Sequence, residues 1–322
     1  MPSTRFAAMQ KSTIVRSLSL LERVAPGVGA RWAEALWFRV PAARGRRDRL
    51  APPGRPFRVP LGIGSVAGEV WDPEPPAGNG RDRPDPGDPR GEPGPGTGGP
   101  PVAYLVHGWG GWRGQLDGFV APLVGAGWRV VAFDAPGHGE SDPGPEGAGR
   151  STVLEFAAAL EAVAAAHGPA AAVVAHSLGA TAAVVAIGGG LAVGRAVFLA
   201  PMADPLPYTR TFAARLGFGE RIRTRLVRRV ERRVGMAMSA FDVPAVASRV
   251  ATPPLLLVHD RQDAETGWAD SAAIARAWPR SRLVTTAGLG HRRILRAPAV
   301  VAEVAGFVTG AGAGQAGLRL AR

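Results

Sequence analysis

The string Ala175-His176-Ser177-Leu178-Gly179 follows a short Val/Ala-rich run, Ala170 to Ala175, and precedes a helical run, Ala180 to Ile187. A strand, a sharp turn and a helix in that order lift a serine hydroxyl clear of a sheet and aim a helix N-terminus at any oxyanion that forms beside it. Read alone, Ser177 is also a competent helix N-cap. Two further residues turn the string into chemistry. His291 sits on the glycine-rich stretch Ala287-Gly288-Leu289-Gly290-His291 beyond the last apolar run, and Asp263 sits in His259-Asp260-Arg261-Gln262-Asp263 beyond the one before it. A nucleophile, then an acid, then a histidine base, each at the carboxyl end of a strand, is a set that can take a proton from a hydroxyl and drive attack on a carbonyl. Asp260 and Asp204 are the competing acids, Asp260 reading more naturally as a turn residue and Asp204 standing after an earlier strand.

A second loop supports the first. Val106-His107-Gly108-Trp109-Gly110-Gly111 also follows a strand, and its glycines permit close backbone approach. The N–H groups of Trp109 and Leu178 are therefore the expected oxyanion donors. His107 reads as a structural imidazole that hydrogen-bonds its own loop, at the edge of a substrate pocket to which Trp112 and His176 also belong.

These residues need a sheet to hold them. Val102 to Val106, Trp128 to Phe133, Ala170 to Ala175, Ala196 to Leu199, Pro254 to Val258 and Arg282 to Thr286 are short apolar runs, separated by helix-length segments such as Ser151 to His167 and Asp270 to Trp278. That alternation predicts an α/β architecture, a mostly parallel sheet covered by helices. Phe57 to Trp71 predicts a β-hairpin turning near Gly62 to Gly64. Residues 74–100 form a Pro/Gly/Asp/Arg stretch with nothing apolar to bury, hence an expected disordered loop. Residues 204–250 mix Phe, Met and many arginines and predict a helical insertion between two strands. Apolar residues at helical spacing from Ser12 to Val24 and from Arg31 to Val40 predict two amphipathic helices at the N-terminus.

Composition bounds the rest. The chain has 322 residues, of which 46% are hydrophobic, enough for a sizeable core. Without cysteine it has no disulfides, thiolate nucleophile or thiolate metal site. A formal charge of +12 raises the question of polyanions, but Lys11 is the only lysine and Ala, Gly and Pro are abundant, as GC-rich coding produces. No nucleic-acid motif accompanies the charge, so none is expected as a partner. No apolar run is long enough to span a bilayer and no clean signal peptide opens the chain, which predicts a cytoplasmic protein. The residues carry no signal of oligomeric state.

From about Phe57 to Val308 the sequence resembles the α/β-hydrolase superfamily, in its broad group of bacterial lipases, esterases and serine-aminopeptidase-like hydrolases. Phe133-Asp134-Ala135-Pro136-Gly137-His138-Gly139-Glu140-Ser141 is similar to that group's Asp-x-x-Gly-His-Gly-x-Ser turn, in which His138 has no catalytic role. Ala175 departs from the usual glycine of the elbow. The resemblance implies an α/β-hydrolase domain over residues 57–310 with a helical cap at 204–250, after N-terminal helices and a linker at 1–56 and before a flexible tail at 311–322. It implies a carboxylic ester hydrolase with catalytic Ser177, His291 and Asp263, acting on a small acyl ester without metal or organic cofactor. An acyltransferase or thioesterase using the same triad is the alternative, and a non-catalytic binding protein a third reading.

Overall fold

The computed structural model describes residues 3–41, 49–74 and 99–311, with side chains from residue 12 onward. Two helices come first, α1 (Ser3–Val24) and α2 (Pro26–Trp37), then the hairpin β1 (Arg55–Leu61) and β2 (Gly64–Trp71). There follow β3 (Val102–Val106), α3 (Val120–Gly125), β4 (Arg129–Phe133), α4 (Val153–His167), β5 (Ala170–His176), α5 (Leu178–Gly188) and β6 (Val193–Leu199). The interval between β6 and the next strand is helical: α6 (Pro205–Leu216), α7 (Glu220–Val234) and α8 (Val243–Ala247). The chain ends with β7 (Leu255–Asp260), α9 (Trp268–Ala277), β8 (Ser281–Thr286), α10 (Gly290–Arg293) and α11 (Pro298–Thr309). The expected loop at 74–100 and the expected tail at 311–322 lie almost wholly outside the described residues.

One eight-stranded sheet runs β1-β2-β4-β3-β5-β6-β7-β8. β1 and β2 pair antiparallel, β2 joins β4 antiparallel, and all later pairings are parallel. The central strands are buried along their whole length, so their faces carry no polar alternation. Val102, Tyr104 and Val106 of β3 face one cluster, with Phe156 and Leu160 of α4 and Ala180 and Val184 of α5. Ala103 and Leu105 face the other, with Leu123 of α3 and Val300 and Val304 of α11.

Most expected elements lie within a residue or two of their expected ends, and three shift further, the first of them α1, which begins at Ser3 and not Ser12. β6 begins at Val193 and not Ala196, because Val193 and Arg195 pair with Ala170 and Ala172 of β5. The second N-terminal helix begins at Pro26 and not Arg31. Proline takes the first helical turn, where its missing N–H costs nothing. α1 and α2 do not stand apart: Leu18, Ala30, Ala33 and Phe38 share an apolar cluster with Ala213, Phe218, Ile222, Leu226 and Val230 of α6 to α7.

A buried ion-pair network ties β2 to the loops after β3 and β4. Arg113 donates from Nε to Glu69 at 2.8 Å, from Nη2 to Glu140 at 2.9 Å, and to the Asp134 carboxylate, while Arg49 grips both Glu69 oxygens. Burial pushes the Glu69 pKa up, but hydrogen bonds from Arg49, the Gly54 N–H and Arg113 outweigh it and hold it down at about 2. Arg113→Met leaves the buried Asp134 without its cation and Glu69 with Arg49 alone, and is expected to destabilise by about 3–5 kcal/mol. Urea unfolding measures this; a loss below about 1 kcal/mol would show the network to be ornamental.

Candidate active site

Ser177 has φ +52° and ψ −121°, a strained conformation for a side-chain-bearing residue, at the junction of β5 and α5. Its hydroxyl makes no capping bond to the helix. The N-cap reading therefore fails on geometry: a capping serine adopts extended backbone and accepts an N–H of the first turn. The departure at Ala175 has a simple cause. Ala175 lies within β5 and has no positive φ, so nothing there demands glycine. Glycine is needed where the two loops touch. A Cβ on Gly108 would stand 2.8 Å from His176 Nδ1 and 3.0 Å from Ser177 Cβ, and one on Gly179 would stand 2.5 Å from the His107 carbonyl.

Asp263 and His291 meet across two strand ends. His291 Nδ1 lies 2.7 Å from Asp263 Oδ2, and the carboxylate is fully buried. Its other oxygen accepts the N–H groups of Glu265 at 2.7 Å and Thr266 at 3.0 Å. Burial pushes the Asp263 pKa up; hydrogen bonds with His259, His291 and the Glu265 N–H more than reverse it and hold the carboxyl well below the ordinary range. An ionised Asp263 keeps the His291 proton on Nδ1 and leaves Nε2 free on the other side of the ring, 3.9 Å from Glu265. Ser177, His291 and Glu265 line one cavity of about 530 Å³, with Trp109 and Leu178. Leu178 is the first residue of α5, so its N–H has no carbonyl within the helix to donate to.

The competing acids do other work. Asp260 accepts from Thr286 Oγ1 at 2.8 Å, the Leu289 N–H at 2.9 Å and the Gln262 N–H at 3.0 Å, pinning the loop that carries His291. Asp204 caps α6 by accepting the Leu206 N–H at 2.9 Å.

The expected pocket residues require correction. His107, Trp112 and His176 do not line the cavity that holds Ser177 and His291; its walls come from Trp37 of α2, Phe212 and Arg215 of α6, Val230 and Val234 of α7, and Met238. His107 and His176 are buried behind the loops, where both ring nitrogens of His107 and Nε2 of His176 bond backbone. Trp112 lies beside Arg49, whose guanidinium is 5.8 Å from its ring. His107 Nε2 accepts the Ala135 N–H at 3.0 Å, and His138 Nε2 accepts the Gly110 N–H at 3.1 Å. Each loop thus braces the other. His176 Nε2 donates to the His291 carbonyl at 3.0 Å, and the rings lie 4.6 Å apart.

His107, His138 and His176 are held neutral by burial. Burial lowers His107 to about 4; burial and then the neighbouring imidazole lower His138 and His176 to about 3 each. The sign of the linkage follows. Their stabilisation is fully present above the unfolded value of about 6.5 and is lost progressively as pH falls toward 3, because only the unfolded chain takes up the protons. The thermal midpoint is expected to decline steadily below about pH 6.5. A midpoint that stays level down to about pH 5 would count against this reading.

Sequence reasoning missed Thr266 and Glu265. Thr266 Oγ1 stands 3.2 Å from both Asp263 Oδ2 and His291 Nδ1 and donates to the Ala200 carbonyl at 3.1 Å. The aspartate at 263 followed by a threonine three residues on is an Asx-turn signal that marks it. The amphipathic N-terminal helices are expected to pack on the main body or cover a pocket mouth. Leu36 and Trp37 of α2 do line the cavity, although nothing local in α2 says which residues far along the chain they meet there.

Residues 103–304 match the alpha/beta hydrolase family, and the chain belongs to it. Its fold is similar to that of alpha/beta hydrolase domain-containing protein 10 from mouse (TM-score 0.56, 13% identity, 80% of this chain and 97% of the other). It is similar also to Est1E from Butyrivibrio proteoclasticus (0.55, 15%, 79% and 96%) and the esterase Pf2001 from Pyrococcus furiosus (0.54, 16%, 84% and 98%). A serine hydrolase-like protein of Danio rerio is 35% identical over 91 residues, 28% of this chain and a fifth, 20%, of that protein's length. Among the described residues no helix is long and apolar enough to cross a membrane.

Proposed function

We propose that the protein is a serine hydrolase of carboxylic esters that works through an acyl-enzyme. One observation carries the reading. A strained serine at a helix N-terminus shares a cavity with a histidine whose far nitrogen is held at 2.7 Å by a buried, ionised aspartate. In the proposed reaction His291 Nε2 takes the Ser177 hydroxyl proton as Oγ attacks the ester carbonyl, and the N–H groups of Trp109 and Leu178 receive the oxyanion. Collapse expels the alcohol, which leaves with the proton from His291. Water then repeats the sequence on the acyl-enzyme, releasing the acid and Ser177.

Asp263 stabilises the imidazolium in both halves, and Thr266, His176 and Asp260 position the pair rather than touching substrate. The helices between β6 and β7 serve as the cap, together with α2. The largely apolar wall of Trp37, Phe212, Val230, Val234 and Met238 supports an apolar acyl group. A panel of p-nitrophenyl esters and thioesters of varied acyl length tests the reading, with a fluorophosphonate probe and mass spectrometry to locate the label. Ester turnover with label on Ser177 is expected. Faster turnover of thioesters, or transfer to added alcohols over hydrolysis, would move the assignment to a thioesterase or acyltransferase. No label on Ser177 would remove it.

A further inference from the structure

α7, with the sequence Glu-Arg-Ile-Arg-Thr-Arg-Leu-Val-Arg-Arg-Val-Glu-Arg-Arg-Val, holds seven arginines and two glutamates. Its inner stripe, Ile222, Leu226 and Val230, is buried against α1 and α2. The approach to α2 is close. A Cβ on Gly29 would stand 2.3 Å from Ile222 Cδ1. Arg221 donates to the Glu22 and Arg23 carbonyls, and the other six arginines divide into two sets. Arg223 is held by Glu220, Arg229 by Glu34, and Arg233 by Glu34 and Glu146. Arg225, Arg228 and Arg232 repeat at helical spacing on the exposed face, and no carboxylate pairs with any of them among the described residues. Arg225 donates only to the Arg221 carbonyl, at 2.8 Å.

Arg31 of α2 faces this stripe across a groove of about 370 Å³ whose wall also includes Val28. Like charges three and four residues apart repel and destabilise their own helix. Glu231 shares a depression with Arg228 and Arg232 but accepts the Met238 N–H at 3.0 Å and forms no ion pair with either among the described residues. Compositional bias explains arginine in place of lysine, but it does not leave these arginines unpaired while pairing the others.

Apolar residues flank the cationic stripe at both ends. Leu20, Val24 and Val28, at the corner between α1 and α2, are 60%, 69% and 54% exposed. Met236, just past α7 and 40% exposed, lines both a depression beside Arg228 and Arg232 and the cavity that holds Ser177. Sequence alone shows neither arrangement, since α1 and α2 carry the apolar corner and α7 carries the charge.

We propose that this face docks on an anionic phospholipid surface, with Arg31, Arg225, Arg228 and Arg232 meeting lipid phosphates and Val24, Val28 and Met236 entering the headgroup boundary. Charge complementarity favours phosphates, and exposed aliphatic side chains beside them favour a bilayer over a nucleic acid, which would call for aromatic stacking platforms. Docking stands apart from the hydrolase reading. Delivery of a lipid ester past Met236 to Ser177 rests on that reading.

The test uses the full chain carrying Ser177→Ala, so that binding is read without turnover. Co-sedimentation with phosphatidylcholine vesicles, with and without phosphatidylglycerol, is expected to give binding only to the anionic vesicles, displaced by high salt. Arg225→Gln/Arg228→Gln/Arg232→Gln should weaken it by about a hundredfold. Val24→Asp/Val28→Asp should weaken it further while leaving the stripe intact. Circular dichroism shows that each variant is folded, and salt displacement of the unaltered face gives a second readout if one is not. Equal binding to neutral vesicles, no binding at all, or an unchanged affinity in the arginine variant overturns the proposal. So does preferential capture of single-stranded RNA over anionic vesicles. Absence of esterase activity with vesicle binding intact would sink the hydrolase reading and leave the docking surface standing.

Discussion

Ser177→Ala is expected to lower ester turnover by about 10⁶-fold while the protein stays folded, the scale of loss when the nucleophile of such a triad is removed. The stability half of the statement comes from the backbone. Ser177 makes no capping bond, and alanine at φ +52° carries the same strain as serine, so the unfolding free energy should move by less than about 0.5 kcal/mol. Ser177→Gly sharpens the test. It removes the same hydroxyl but relaxes the strain, and should be equally inactive yet about 1 kcal/mol more stable. A serine that costs stability and returns only chemistry is one held for function. Retention of more than a few per cent of activity in either variant, in protein free of host esterases, would sink the assignment.

Asp263→Asn should cost about 10⁴ in kcat with the fold intact. The direction follows from the hydrogen bonds. Asp263 Oδ1 accepts two backbone N–H groups, from Glu265 and Thr266, so an asparagine must keep its oxygen there and turn its NH₂ toward His291 Nδ1. That flips the imidazole to the tautomer with the proton on Nε2, which cannot accept the Ser177 proton. Asp260→Asn disturbs only the hold on Thr286 and Leu289 and should cost at most about tenfold through a shifted His291 loop. Asp204→Asn should cost nothing measurable, because asparagine caps a helix as well as aspartate. Steady-state kinetics on the three variants ranks the carboxylates. If Asp260→Asn proves the more damaging, the acid belongs to the strand and not to the turn beyond it.

Much of this protein was legible in the residues themselves. Short apolar runs such as Val102 to Val106 and Pro254 to Val258, spaced by helix-length segments, determine a parallel sheet because a strand buried on both faces must be apolar throughout. The order of Ser177, Asp263 and His291 was readable for a related reason: strand ends are where such a sheet exposes side chains, and local glycines mark the turns. What only the tertiary structure decided are relations between distant segments. The residues already favoured Asp263 over Asp260, which shares its short loop, but the 2.7 Å approach of Asp263 to His291, 28 residues on, comes from packing alone. His107 and His176 moved from the pocket to the framework because their partners are backbone groups of other loops, Ala135 and His291. The cavity wall from α2, and the meeting of an apolar corner at Val24 and Val28 with the arginines of α7, depend on a close crossing at Gly29 and Ile222. Periodicity reports which face of a helix is buried, but the partner of that face is set by packing, which local sequence does not encode.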